Sequence, residues 1–335
     1  MRPDRRILLR IHGFQSADLS AILKGTSEIF PRGGSLMTDH AHATAPRIMD
    51  AEFSVPYLPH EHLLAHPRFA EARDLYLQAI LALYGDDPFL NKLLLESARS
   101  VVFGGLLVLW ASHDPAARAT WPTLGNLKRL IAPFAQSSPR RIEQIVLRLI
   151  EVGYVEQKVS PTDARLRLLA PTALFLRHDQ DWLAAHYQPL ARLYPDPAYD
   201  RPLTRDPGFQ KAQRRASFAF IPRSAHAFIS NPDILLFAAR DAGFLILAQV
   251  VLDDRHGLRR SFEELGRRFA VSRTHVRQLL RDAQERDLIR LSGLGGHAVE
   301  IRPSGWRCID RFVADGMSGH DLTGAVALRE IETQT

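Results

Sequence analysis

The sequence predicts a mainly α-helical fold with small β-hairpin wings, arranged as two winged helix-turn-helix domains in one chain. Three observations lead to this fold class. A capped helix, an amphipathic helix and a hairpin pattern follow one another in residues 261–305, the same order begins earlier near residue 121, and positive charge is concentrated in both segments. The chain has 335 residues, of which 46% are hydrophobic, so two packed domains are expected.

The later segment is preceded by "PDILLFAARDAGFLILAQVVLDD", a strongly apolar stretch that predicts a helix ending near its last aspartates. "SFEELGRRFAV" then predicts a short helix capped by Ser261. Glu264, three residues later, is placed to complete a capping box, and Leu265 and Phe269 are expected to face the core.

The amphipathic helix is predicted by "SRTHVRQLLRDAQERDLIRL", with Ser272 as its N-cap. Its apolar residues have the i, i+3, i+4, i+7 spacing of one buried face. They are Val276, Leu279, Leu280 and Ala283. After it, "LIRLSGLGGHAVEIRPSG" has two β-prone runs around a glycine-rich turn and predicts the hairpin.

The earlier copy contains "SPRRIEQIVLRLIEVGYVEQ", whose first residue, Ser138, lies 134 positions before Ser272. At this offset Ile142, Ile145, Val146 and Leu149 match the four apolar positions of the later helix. "LLLESARSVVFGGLLVLWA" and "HPRFAEARDLYL" resemble "ILLFAARDAGFLILAQVVL" and "DPGFQKAQRRASF" in the later copy, and "YVEQKVSPTDARLRLLAPT" predicts another hairpin. The repeat indicates a duplication.

The duplication sets the predicted domains. Residues 1–58 are expected to be a flexible N-terminal extension, residues 59–195 the first domain with its flanking helices, and residues 196–335 the second. The proline-rich "YPDPAYDRPLTRDP" is the predicted connection. Within the extension, residues 1–36 are expected to be mobile, or translation starts at Met37.

Charge points to a polyanionic partner. The formal net charge is +6, and basic proteins favour nucleic acid. Residues 121–168 contain eight Lys/Arg and four Asp/Glu, and residues 255–302 contain eleven Arg and six Asp/Glu. The two segments therefore carry an excess of positive charge that the remainder of the chain does not share.

Other classes of protein have no support in the sequence. The single cysteine, Cys308, excludes an intrachain disulfide framework and a cysteine-rich zinc finger. No apolar run is long enough to span a membrane and no signal peptide is recognisable, so a cytoplasmic protein without a membrane partner is expected. His62 and His66 in "HEHLLAH" lie one turn apart but lack a glutamate placed as in HExxH, so no metal or other cofactor is predicted. No nucleophile–base–acid set is recognisable, and an enzyme is not predicted.

In a winged helix the third helix enters the major groove, and its N-terminal half meets the base edges. Arginine pairs with guanine and glutamine with adenine, while the wing and the later helical positions meet the backbone. The predicted DNA-binding residues of the first domain are Ser138, Arg140, Arg141, Gln144, Arg148, Arg165 and Arg167. Those of the second domain are Arg268, Arg273, Thr274, His275, Arg277, Gln278, Arg281 and His297.

Among the differences between the two predicted recognition helices, Glu143 stands in place of Arg277. A carboxylate repels phosphate, so the first domain is expected to bind more weakly or to read a cytosine amino group. An asymmetric or imperfectly palindromic site follows.

The later copy, "SFEELGRRFAVSRTHVRQLLRDAQERDLIRLSG" with "HAVEIRPSG", resembles the core of MarR-type winged-helix regulators: a short helix, a Ser-led recognition helix, a "DLI" exit, a wing and a further helix. In that family two chains dimerise through helices at their ends, and small ligands often bind between the DNA-binding head and the dimer region. "TALFLRHDQDWLAAHYQPLARLY" and "GWRCIDRFVADGM" fall where those helices would. This chain departs from the family because both copies share one polypeptide and neither wing has the usual acidic-basic tip.

The resemblance implies a pseudo-dimer that acts as a monomer or a homodimer, binds double-stranded DNA and is open to a small-molecule effector. The expected function is a bacterial-type transcriptional regulator that binds DNA sequence-specifically. Two alternatives stay open: a plasmid-type replication initiator with tandem winged helices, and a winged-helix scaffold for protein interactions.

Overall fold

The computed structural model describes residues 46–84, 97–132, 138–160, 163–293 and 298–334. The described chain is mainly helical, with small antiparallel strand pairs. Its first part comprises β1 (Ile48–Met49), β2 (Pro56–Tyr57), α1 (His60–Ala65), α2 (Phe69–Tyr84), α3 (Ser97–Ala111), α4 (Leu124–Ile131), α5 (Pro139–Glu151), β3 (Val155–Val159), β4 (Arg167–Pro171) and α6 (Ala173–Leu193). Its second part comprises α7 (Asp200–Leu203), α8 (Pro207–Ser230), α9 (Ile234–Ala238), α10 (Gly243–Arg255), α11 (Phe262–Arg268), α12 (Arg273–Glu285), β5 (Ile289–Ser292), β6 (Ala298–Ile301) and α13 (Pro303–Gln334).

The predicted order of three helices, a hairpin and a further helix is present twice. We call the described parts of residues 97–171 the first head and those of residues 243–301 the second head. The third helices, α5 and α12, are both 13 residues long and begin after Ser138 and Ser272. All eight apolar residues predicted to form their inner faces are buried, which confirms the matched periodicity.

The ends of α5 and α12 also match in their backbone. Gly153 and Asp287, which are 134 positions apart, both have a positive φ, of 76° and 57°. In each copy the N–H of the following residue, Tyr154 or Leu288, donates to the carbonyl five residues earlier, at 2.9 and 3.0 Å. This left-handed helix end turns the chain into the first strand of the hairpin.

The short helix before α12 forms as predicted. The Ser261 Oγ accepts the N–H of Glu264 at 3.1 Å, and the Glu264 carboxylate accepts the N–H of Ser261 at 2.7 Å. Leu265 and Phe269 are buried. The capping box therefore satisfies two N–H groups that a helix start leaves without a helical acceptor.

The apolar stretch at 232–254 is two helices rather than the single predicted one. The helix stops after Ala238, Ala242 has a φ of 52°, and α10 begins at Gly243. A Cβ at Gly243 would lie 2.2 Å from the Phe237 carbonyl oxygen, so the two chain segments meet too closely for any side chain. Hydrophobicity alone does not show this close approach.

The two halves exchange contacts reciprocally. Helix α2 packs against α6, as α8 packs against α13. In addition α2 packs against α10 of the second head, α8 packs against α3 of the first head, and α6 and α13 contact each other. Such pairwise exchange is the pattern of a two-fold interface. The buried apolar residues accordingly form one large cluster that runs from Leu58 to Ala327.

Residues 46–58 are not part of a flexible extension, and the prediction that placed them there is wrong. Leu58 is fully buried, and its N–H donates to the Asp321 carboxylate at 2.7 Å. The Arg47 guanidinium contacts the same carboxylate at 2.7 and 3.0 Å and the Asp196 carboxylate at 3.0 Å. These anchors lie far along the chain, so local pattern could not reveal them. Residues 1–45, including the predicted mobile segment and Met37, lie outside the described residues.

The predicted connection between the halves is folded too. It contains a 3-10 turn at Pro197–Tyr199 and helix α7. Tyr199 is buried, and its hydroxyl donates to Asp321 at 2.6 Å. Among the described helices, each is too short or too polar to cross a lipid bilayer.

The close approach at Gly243 predicts that Gly243→Ala lowers the free energy of unfolding by about 1–3 kcal/mol, because the added Cβ must displace backbone. Gly104→Ala is the control, since a Cβ there meets nothing within 4 Å and alanine favours a helix. Urea unfolding followed by circular dichroism measures both. Equal stability of the two variants would contradict the packing at Gly243.

A second prediction concerns His186 of α6, which is 7% exposed and faces Tyr76 of α2. Its Nδ1 donates to the Trp182 carbonyl at 2.8 Å, and its Nε2 lies 3.2 Å from the Tyr76 hydroxyl, which can donate to the neutral ring. Burial lowers the pKa of His186 to about 3, and the charge of Arg214 acts in the same direction. Burial likewise lowers the pKa of His320, whose ring centroid lies 4.4 Å away.

A histidine whose folded pKa is depressed contributes its full stability above the unfolded pKa, near 6.5, and loses it as pH falls. As the pH falls from about 7.5 to about 5.5, the free energy of unfolding should therefore decrease by about 1 kcal/mol on account of His186. His186→Gln should remove its own contribution and make the dependence shallower, while that of His320 remains, and His113→Gln at an exposed position should not change it. Urea midpoints across this pH range give the test, and an unchanged slope in His186→Gln contradicts it.

Candidate nucleic-acid interface

The outer face of α12 carries a row of arginines. The Ser272 Oγ accepts the N–H of His275 at 3.1 Å and starts the helix. Because the inner face is buried, Arg273, Arg277 and Arg281, spaced four residues apart, lie together on the exposed side. We call these three residues the arginine row. Within the described part of the chain none of them is engaged in an ion pair or side-chain hydrogen bond. Their charges therefore face solvent.

Two predicted base-reading residues of α12 are already hydrogen-bonded. The Gln278 Nε2 donates to the Asp282 carboxylate at 2.7 Å. The His275 Nε2 lies 3.0 Å from the Asp241 carbonyl oxygen and must carry the proton, because a carbonyl can only accept. The Nδ1 of His275 is then the ring atom left for a ligand when the ring is neutral. Thr274 is exposed beside them.

Helix α12 is held in place by the chain that enters the second head. Besides His275, its Asp282 contacts Arg240, and Arg286 at its end contacts Asp233 at 3.5 Å. These three contacts lie at the start, the middle and the end of the helix. The orientation of the arginine row is therefore set by segment 233–241 as well as by the core beneath the helix.

The first head presents a less basic face. Its Ser138 Oγ accepts the N–H of Arg141 at 3.3 Å, and Arg140, Arg141 and Gln144 are exposed. The Arg148 guanidinium contacts Glu151 at 2.9 Å. The predicted residues of α5 thus share one exposed surface, but their charge pattern differs from that of α12.

The difference is largest at the positions that match the arginine row. At the offset of 134 these positions hold Pro139, Glu143 and Leu147. Glu143 is paired with Lys128 of α4 at 3.3 Å, and Leu147 is 51% exposed. Three charges of α12 are therefore replaced by one neutralised ion pair and two apolar residues. The Glu143 substitution was recognisable from the sequence, whereas its pairing with Lys128 was not.

The hairpins carry further predicted residues. Strands β3 and β4 pair from Val155 with Pro171 to Val159 with Arg167. Arg165 and Arg167 are exposed near the tip, and the Arg167 Nη1 donates to the Ala164 carbonyl at 2.7 Å. In the second hairpin the predicted His297 lies outside the described residues. Cationic side chains near a wing tip suit contacts to a phosphate backbone.

Arg268 does not join this exposed surface. It is partly buried, and its Nη1 donates to the Gln249 side-chain oxygen of α10. Its guanidinium also lies 5.5 Å from the centroid of the Phe269 ring. The sequence could not distinguish it from the exposed Arg267, because the two residues are adjacent and of the same type.

The buried contact of Arg268 predicts different costs for two alanine substitutions. Arg268→Ala should lower the free energy of unfolding by about 1–3 kcal/mol, because the Gln249 oxygen loses a charged donor in a partly buried place. Arg281→Ala should change it by less than about 0.5 kcal/mol, as expected of an exposed side chain. Chemical unfolding of the two variants checks this, and a larger loss for Arg281→Ala would be inconsistent with the structure.

The histidines of "HEHLLAH" have other contacts. The His62 Nδ1 lies 2.6 Å from the Pro46 carbonyl, and the His66 Nδ1 accepts the N–H of Arg68 at 3.1 Å. Among the described residues no group of three or more His, Cys, Asp or Glu side chains could hold a metal ion.

Comparisons with protein-family models, with curated proteins and with solved structures found no match to this chain.

Proposed function

We propose that this chain is a sequence-specific, double-stranded DNA-binding transcriptional regulator that uses two unequal winged-helix heads in one polypeptide. The observation that carries the proposal is the arginine row. It lies on the exposed face of a helix whose opposite face is fully buried, and this helix belongs to a three-helix and hairpin unit. A helix with such a surface suits the major groove.

The chemistry of the row matches duplex DNA. A guanidinium can donate two hydrogen bonds to guanine O6 and N7, and any of the three can instead pair with phosphate. The first residues of the recognition helix meet base edges, so Arg273 and Arg277 are assigned to bases, and Arg281 to the backbone. Arg165 and Arg167 of the first wing add backbone contacts.

The reciprocal packing of the two halves supports a pseudo-dimer. Two DNA-binding heads held by one core act at a high effective concentration, so the second head binds readily once the first has docked. Simultaneous binding needs half-sites about 10 bp apart. A cytoplasmic location belongs to this proposal, and a small-molecule effector is compatible with it.

The unequal helix faces support an asymmetric site. In the second head three arginines without a side-chain partner among the described residues are assigned to the groove, whereas in the first head the Glu143 charge is balanced by Lys128. Most of the sequence discrimination is therefore assigned to the second head, and the first head adds affinity through Arg140, Arg141 and the wing.

The proposal predicts distinct losses on removing single arginines, measured with a duplex selected from a random pool by the wild-type chain. Arg277→Ala should relax preference at one base pair and weaken specific binding by about 1–3 kcal/mol. Arg281→Ala should weaken all duplexes similarly and reduce the slope of log affinity against log salt by about one. Leu147→Ala, at the position of α5 that matches Arg281, is the control and should leave the salt slope unchanged.

Fluorescence anisotropy at several salt concentrations reads out both properties. If the wild-type chain binds no duplex even at low salt, the proposed function is wrong, and the function of a protein-interaction scaffold is favoured instead. If both arginine variants bind the selected site as tightly as the wild type, the assignment of α12 to the groove is wrong.

A further inference from the structure

We infer that Asp282 determines the base preference of Gln278 by holding its side-chain amide in one orientation. This inference rests on the proposed DNA-binding function and adds a base class and a positioning residue to it. Gln278 is thereby assigned to read adenine. Asp282, which does not contact DNA itself, is assigned the role of setting that preference.

Two hydrogen bonds connect the side chains of Gln278, Asp282 and Arg240. The Oδ1 of Asp282 accepts a hydrogen bond from the Gln278 Nε2 at 2.7 Å, and its Oδ2 accepts one from the Arg240 guanidinium. A carboxylate can only accept from these partners, so the nitrogen end of the Gln278 amide must face Asp282. The orientation of the amide is therefore fixed by the chemistry of its neighbour.

Arg240 keeps the carboxylate in place. It lies in the turn between α9 and α10, outside the recognition helix, and the side chain of Asp282 is only 20% exposed. The charge of Arg240 also offsets the repulsion between Asp282 and nearby phosphates. An acidic residue is thereby tolerated next to the groove, where alone it would oppose DNA binding.

The consequence is a restricted set of free donors and acceptors. With one amide hydrogen engaged, Gln278 has one N–H and its carbonyl oxygen left for a base. Adenine offers the complement in the major groove, an N7 acceptor and an N6 amino donor. Guanine offers two acceptors, O6 and N7, which one remaining N–H cannot satisfy together. The held amide therefore favours adenine over guanine.

The first head lacks this arrangement. The residue four positions after Gln144 is Arg148, which contacts Glu151 instead. The matched glutamines therefore differ in surroundings, and Gln144 has no carboxylate one turn further along its helix. The adenine preference is assigned to the second head alone.

The experiment selects binding sites from a random duplex pool with the full chain as wild type, Gln278→Ala, Asp282→Ala and the double variant. The wild type should prefer adenine over guanine about tenfold at one position of the site. Both single variants should lose this preference at that same position, and the double variant should lose nothing further. Asp282→Asn has one acceptor oxygen for two donors, Gln278 and Arg240, so its NH2 group faces one of them and it should not restore the preference.

A structural defect would give another result. Loss of the folded second head weakens binding to all duplexes, whereas removing a carboxylate near the phosphates leaves affinity for non-specific duplex unchanged or higher. Glu151→Ala, which removes an exposed carboxylate of α5, is the control and should not alter the adenine preference.

Retention of the adenine preference by Asp282→Ala, or its loss at a position that Gln278→Ala does not affect, overturns this inference while the proposed function stands. Failure of the wild-type chain to bind any duplex overturns both.

Discussion

The reciprocal packing of the two copies is the constraint on which the rest of this structure depends. Each head packs against a helix from the other copy, α10 against α2 and α3 against α8, and the two long helices α6 and α13 contact each other. Since apolar burial is the main stabilising contribution, neither head has a complete core by itself. The positions of α5 and α12 therefore depend on one shared core.

A network of polar side chains around Asp321 supplements the apolar core. Asp321 of α13 is buried and accepts hydrogen bonds from Arg47, Tyr199 and the backbone of Leu58. A buried carboxylate needs such partners, because an unpaired one would carry a large desolvation cost. One residue therefore joins the N-terminal hairpin region and the connection between the copies to the longest described helix. The chain segments outside the two heads are held by this network as well as by apolar contacts.

The parts that the sequence could predict are those set by local chemistry. Helical periodicity identified the buried faces of α5 and α12, and a serine followed by glutamate identified the capping box at Ser261. Contacts between distant segments could not be predicted: Arg47 and Asp321 are 274 residues apart, and the break before Gly243 depends on how near Phe237 lies in space. In the candidate interface, the exposed arginines followed from periodicity, but the inward turn of Arg268 and the Lys128–Glu143 pair depend on tertiary packing. The i, i+4 spacing of Gln278 and Asp282 was a readable signal, because residues at this spacing meet on a helix.

Joining two matched units in one chain has a physical consequence for the proposed recognition of DNA. In a dimer of identical chains a substitution on the recognition helix appears in both heads, so the site must stay symmetric. Here the backbone of α5 and α12 is repeated down to the left-handed residues Gly153 and Asp287, while the exposed residues have diverged. The buried positions must preserve a common geometry, because the halves pack against each other, whereas the outward positions lie outside the core. Glu143 and Arg277 can therefore differ without any cost to the shared core, and the frame stays nearly symmetric while its two faces do not.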